Sequence, residues 1–167
     1  GMPLGARDSA LVVLDRLAYG PRPGDVERVA SSGVLRWIDR QLEPGRDRSR
    51  EQLDSKFEIL TLDREDLARR YLAARDARRA ARADSTGSAG SAALREFREL
   101  AGEFQQLAVA RAVTADNQLE EVLADFWINH FNVFLGKNAD RFLLPSYVEE
   151  TIRPHVLGRF ADMLVAV

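Results

Sequence analysis

The chain has 167 residues, 46% hydrophobic and 30% charged, a balance that excludes a disordered segment and a membrane-embedded one and predicts a soluble globular domain. With 24 Lys and Arg against 26 Asp and Glu, the net charge of -2 supplies no overall field for nucleic acid or an anionic membrane. Cysteine is absent, which excludes disulfides, thiolate catalysis and thiolate zinc sites, and any imidazole chemistry must run through His130 or His155.

The chain-order reading finds helices and no strand. Asp8 or Ser9 is placed to cap a helix through about Tyr19, and Gly20-Pro21-Arg22-Pro23-Gly24 forces a turn. A short helix over about 24–31 closes at Gly33. The next, Val34 to Leu42, carries Leu35, Ile38 and Leu42 on one face with Trp37 beside them. Charged residues dominate Arg46 to Glu51, which reads as a solvated loop, and a short helical turn is expected between Leu53 and Leu60.

Two long helices follow. Asp63 and Asp66 make an acidic N-terminus, with Glu65 to Arg69 and Asp66 to Arg70 as supporting pairs. The small polar run 84–91 reads as a flexible Gly/Ser connection inside the single domain 1–167. Ser91 is placed to cap the second arm, whose stripe is Leu94, Phe97, Ala101, Phe104 and Ala108, widened by Leu100 and Leu107. The prediction is a protruding antiparallel helical hairpin of about 63–83 and 91–115.

Asn117 and Glu120 stand in a capping-box relation ahead of Leu119, Val122, Leu123, Phe126, His130, Val133 and Phe134, which recur at helical spacing and place His130 on a buried apolar stripe. Gly136-Lys137-Asn138 breaks this helix, Pro145 is placed to open another through about Arg153, and Pro154 ends or kinks it. A last helix begins near Gly158. The fold class is all-α, an irregular bundle of about eight helices. The apolar run Phe160 to Val167 has no stop signal, which predicts the N-terminal part of a longer protein with an exposed patch at Met163, Leu164 and Val167, suited to the missing C-terminal portion or to self-association.

Four blocks carry a family resemblance: Leu14-Asp15-Arg16-Leu17-Ala18-Tyr19-Gly20-Pro21-Arg22-Pro23-Gly24-Asp25-Val26, Trp37-Ile38-Asp39-Arg40-Gln41-Leu42, Phe126-Trp127-Ile128-Asn129-His130-Phe131 and Ile152-Arg153-Pro154-His155-Val156-Leu157-Gly158-Arg159-Phe160. Together they resemble the N-terminal part of the bacterial family catalogued as domain of unknown function 1800. That resemblance implies a longer protein and an exported, periplasmic or secreted setting, although no signal is visible in this chain. The family usually has Trp-His-Asn-His in the third block; here Ile128 stands in place of the first His, while Asn129 and His130 are retained.

The candidate chemistry is sparse. His130 and Asn129 are the candidate catalytic pair, and Trp127 and His155 are candidate ligand- or partner-binding residues, with core packing for Trp127 and a turn-tying bond for His155 as the plainer readings. Arg75, Arg78, Arg79 and Arg82 form a basic stripe within about a third of a helix circumference. They have no aromatic platform, so the stripe is read as a solvated face and no nucleic-acid partner is expected. No metal-ligand spacing appears, no cofactor is named by any motif, and no stretch is long and apolar enough to cross a membrane. Two readings follow: a helical scaffold or interaction module of a larger protein, or the N-terminal part of an enzyme, in one form metal-dependent, whose site is completed elsewhere. Solvent access to His130 discriminates between them.

Overall fold

The computed structural model describes residues 5–43, 47–83, 91–131 and 140–167. Among these residues every regular element is helical and the fold is all-α. The elements are α1 (Ala6–Leu17), α2 (Asp25–Ser32), α3 (Val34–Leu42), α4 (Arg48–Asp54), α5 (Arg64–Ala83), α6 (Ser91–Thr114), α7 (Gln118–His130), α8 (Asp140–Tyr147) and α9 (Phe160–Ala166). A 3-10 turn covers Glu58–Leu60, and α8 runs on through a π-helical segment, Val148–Ile152, into a 3-10 turn, Arg153–His155.

The first three helices form their own small core of Ala10, Leu14, Ala18, Val29 and Trp37. Helix α1 starts at Ala6 behind Gly5, ahead of the expected caps Asp8 and Ser9, and no side chain caps it. The Gly-Pro turn works as anticipated: Gly20 and Gly24 take φ of 96° and 82°, a region that favours glycine, and the N–H of Arg22 donates to Asp25 Oδ2 at 3.0 Å. In α3 the buried face is rotated from the expected one. Leu35 is 76% and Leu42 52% exposed, whereas Trp37 and Gln41 are buried. The larger ring claims the trio's core, and Gln41 is drawn inward by hydrogen bonds to the start of α7.

The charged stretch after Arg46 is not a loop. Asp47 caps α4, accepting from the N–H of Arg50 at 2.9 Å, and is itself buried. In α5, Asp63 caps as its spacing implies, accepting from the N–H of Asp66 at 2.8 Å. The supporting ion pairs differ: Asp66 pairs with Arg69, while Arg70 reaches Glu58 and Glu96. Glu103 accepts from the N–H groups of Glu58 and Ile59 ahead of α5, while Arg70 further along the chain reaches Glu96 earlier in α6, so α5 and α6 run antiparallel. Their shared core is Leu67, Leu100, Phe104 and Leu107 with Ile59, Leu144 and Val148. Among the described residues, no side chain is buried in α5 beyond Ala74 or in α6 before Leu100. Ser91 lies within α6, and the remaining expected connection, 84–90, lies outside the described residues, as does the Gly136-Lys137-Asn138 break.

Pro145 lies inside α8 rather than at its start. The π segment widens the chain ahead of Pro154, whose ring would otherwise crowd the preceding turn and which has no N–H to donate. A third core joins Ala124, Ile152, Val156 and Met163. Met163 is therefore buried, contrary to the expected terminal patch, while Leu164, Val165 and Val167 are 57%, 90% and 49% exposed.

Candidate functional site

Three of the four resemblance blocks meet at the corner between α6 and α7. The backbone there leaves a helix C-terminus and opens the next helix within three residues, so its polar groups need outside partners. Side chains supply them. Arg22 donates to the carbonyls of Val113 and Ala115, both at 3.2 Å, and Gln118 Nε2 donates to those of Ala112 and Ala115. Gln41 Nε2 donates to the Asp116 carbonyl at 2.9 Å, and its Oε1 accepts from the N–H of Leu119 at 3.0 Å. Asp47 accepts from the N–H of Asn117 at 2.8 Å, and Ser49 Oγ from that of Asp116. Tyr19 adds its hydroxyl to the Glu121 carbonyl at 3.3 Å.

The expected capping box does not form. Asn117 Nδ2 donates to Glu120 Oε2 at 3.2 Å, and Asn117 Oδ1 is buried with no partner among the described residues.

Beneath this corner lies a ring of alternating charge. Arg50 pairs with Asp54, Asp54 with Arg111 at 2.7 Å, Arg111 with Glu149 at 2.6 Å and Glu149 with Arg153 at 3.1 Å. Arg153 reaches Glu120 at 3.3 Å, and Glu120 returns to Arg50. Glu121 closes on Arg153 from the side at 2.6 Å. The Arg111 side chain is only 2% exposed and that of Arg153 7%. Burial by itself would lower their basicity, but hydrogen bonds from Arg111 to Asp54 and Glu149, and from Arg153 to Glu121, more than offset it and hold both guanidiniums above their ordinary value. The same balance acts on Asp47, where burial raises the carboxyl but the N–H of Asn117, the Ser49 hydroxyl and the N–H of Arg50 leave it below its usual range. Burial, reinforced by Asp125 and Glu121, pushes the Tyr19 phenol up to about 12.

The family model for proteins of unknown function, DUF1800, matches residues 12–167. The chain belongs to the DUF1800 family. No curated protein and no solved structure matches it. The ring thus ties the fourth block of this DUF1800 chain, through Arg153, to α7, while the first two blocks, through Tyr19, Arg22 and Gln41, grip the corner above.

The third block builds a different surface. His130 is exposed, which corrects the expected buried stripe. Phe126 is 52% exposed beside it, stacked on the imidazole at 5.7 Å between centroids. Trp127 is half-buried against the third core, with Phe131 and Phe160 stacked on it at 5.7 and 5.4 Å and His130 edge-on at 5.3 Å. Ile128 packs against the core of the α5 and α6 pair, so the position where the family usually has His is apolar and turned inward. Asn129 is exposed and donates to the Asp125 carbonyl at 2.9 Å and its carboxylate at 3.3 Å.

His155 is half-buried, and its Nδ1 lies 2.7 Å from the Thr151 carbonyl, a geometry in which the ring N–H donates along the turn. Arg75 pairs with its neighbour Asp76, and Arg78, Arg79 and Arg82 are exposed on α5. Among the described residues no three His, Asp or Glu side chains are grouped to hold a metal ion, and no helix is long and apolar enough to cross a membrane.

Sequence reading missed the ring and the gripped corner because its signals, apolar periodicity, caps and i,i+4 pairs, all act within a few residues. A signal was present in α6: Arg111 continues the spacing of Leu100, Phe104 and Leu107, so its charge falls where an apolar residue is due.

Proposed function

We propose that this chain is a helical scaffold and interaction module of a larger DUF1800 protein, presenting the aromatic end of α7 together with α9 to an apolar protein surface. The observation that supports it is the exposure of Phe126 against the His130 ring and of Phe160 against the Trp127 ring, with Leu164 and Val165 also exposed further along α9. Exposed apolar surface of this kind marks a contact region. The occupant is further polypeptide of the same protein, since the family resemblance implies members longer than 167 residues. Acrylamide quenching of Trp fluorescence, compared between residues 1–167 and a longer natural form, tests this, with Trp37→Phe in both so that Trp127 alone reports. Quenching of Trp127 should fall in the longer form; equal quenching overturns the reading.

The enzyme reading has one observation in its favour: neither His130 ring nitrogen has a hydrogen-bond partner among the described residues. It calls for His130→Ala in the longer protein, with activity against hydrolysable and redox substrates as the readout. The scaffold reading stands ahead of it because, among the described residues, no second titratable group is hydrogen-bonded to His130 to complete an acid–base pair.

A further inference from the structure

A cleft of about 550 Å³ lies in the seam between the trio α1–α3 and the corner joining α6 to α7, at the opposite end of α7 from the aromatic face and independent of the reading above. Its volume lies within the roughly 300–1,000 Å³ of small-molecule sites. Leu14 and Trp37 supply the apolar part of the lining. Most of the polar lining is already committed. Asp25 is shared between Arg22 and Arg28, and Gln41 and Gln118 spend their amides on backbone groups.

What remains is a short set of unspent groups. Arg40, Glu43 and Asp116 line the cleft, and their charged groups have no side-chain partner among the described residues. Asn117 Oδ1, the buried acceptor without a partner, has no surface that opens into the cleft and is not one of them.

The charge pattern selects the ligand. A plain anion would meet two free carboxylates, a plain cation would meet Arg22, Arg28 and Arg40, and an apolar molecule would desolvate all of them. We infer that the cleft takes a small zwitterion, an ammonium and a carboxylate on a short frame, the chemistry of a free amino acid or dipeptide. The carboxylate pairs with Arg40, and the ammonium donates toward Asp116 and Glu43.

Isothermal titration of the purified chain with alanine, glutamate, lysine and alanyl-alanine tests this, with acetate and ethylamine as the two half-ligands. Saturable binding of at least one zwitterion is expected, with each half-ligand weaker by about tenfold or more. Arg40→Gln and Asp116→Asn alter exposed, unpaired side chains and should leave the circular dichroism spectrum unchanged while each weakens binding by about tenfold. A preference for the amino acid over alanyl-alanine, or the reverse, reports the separation of the two charged subsites. Absence of saturable binding by every zwitterion, half-ligands that bind equally well, or variants that bind as the parent does would each overturn the inference.

Discussion

Helix α7 reverses the usual rule between its two ends. Over Gln118–Ala124 it buries an amide, two apolar residues and two carboxylates together, whereas over Phe126–His130 it exposes a phenylalanine and a histidine. The first half is covered because every polar group there has a partner: Arg153 and Arg50 for Glu120 and Glu121, Gln41 for the N–H of Leu119. The second half has rings in contact with one another, with only Trp127 and Ile128 facing cores. Burial along this helix therefore follows the availability of partners rather than the hydrophobicity of the side chains. Buried charge of this kind adds little net stability, since desolvation offsets most of the Coulomb attraction, yet stranding one partner is costly.

The sharpest way to break the comparison is to remove one charge from the covered half. Arg153→Met strands Glu121, whose side chain is 6% exposed, and leaves Glu120 and Glu149 short of a partner. Loss of about 3–5 kcal/mol is expected in urea denaturation. Adding Glu121→Gln should restore part of it, because the residual cost comes from the uncompensated carboxylate. A single variant as stable as the parent would mean that the ring carries no weight.

A smaller loss is expected at the mouth of the same helix. Gln41→Ala leaves the Asp116 carbonyl and the Leu119 N–H without partners, at a cost of about 2 kcal/mol. The mirror experiment is Leu35→Ala on the exposed side of α3, expected to change stability by less than about 0.5 kcal/mol. Equal effects of the two would show that the corner is held by packing rather than by its hydrogen bonds.

The pH profile sharpens the picture further. Asp47 has a folded pKa below its unfolded value, so its contribution is present above about pH 4 and is lost as the pH falls through the lowered folded value. Asp47→Asn should therefore be less stable at neutral pH and show a shallower decline between about pH 4 and pH 2 than the parent, read from urea midpoints across that range. Parallel declines would remove Asp47 from the acid response.

Much of the fold was legible in the sequence because apolar periodicity and cap residues act locally. The arms α5 and α6, the Gly-Pro turn and the Asp63 cap all follow from spacing within a few residues. What was not legible depends on partners far along the chain. Arg111 finds Asp54 and Glu149, 57 and 38 residues away, and no window of periodicity contains them. Asp47 reads as one charge in a charged stretch until the N–H of Asn117 arrives from 70 residues away. Of the candidate residues, His130 and Trp127 were picked out by type, but the surface they share with Phe126 and Phe160 was not foreseen. A stripe of apolar spacing says which residues share a face, and only the neighbouring helices decide whether that face is covered.

The smallest effect belongs to His130, and it bears on both readings of function. Had the imidazole been buried between Phe126 and Phe134, its removal would have left a cavity and an unsatisfied group, at about 2–4 kcal/mol. Exposed, it touches Phe126, Trp127 and Phe131 through ring faces and edges alone, and those contacts are worth little once water covers them. His130→Ala should therefore change stability by less than about 0.5 kcal/mol, a shift in Tm of under about 2 °C for a chain of this length. The matched control on the covered half is Ala124→Ser, which adds a hydroxyl at a 2% exposed position and should cost more than His130→Ala. If differential scanning calorimetry ranks the two in the opposite order, the outer half of α7 is packed as tightly as the inner half. The scaffold reading would then lose the open face on which it rests.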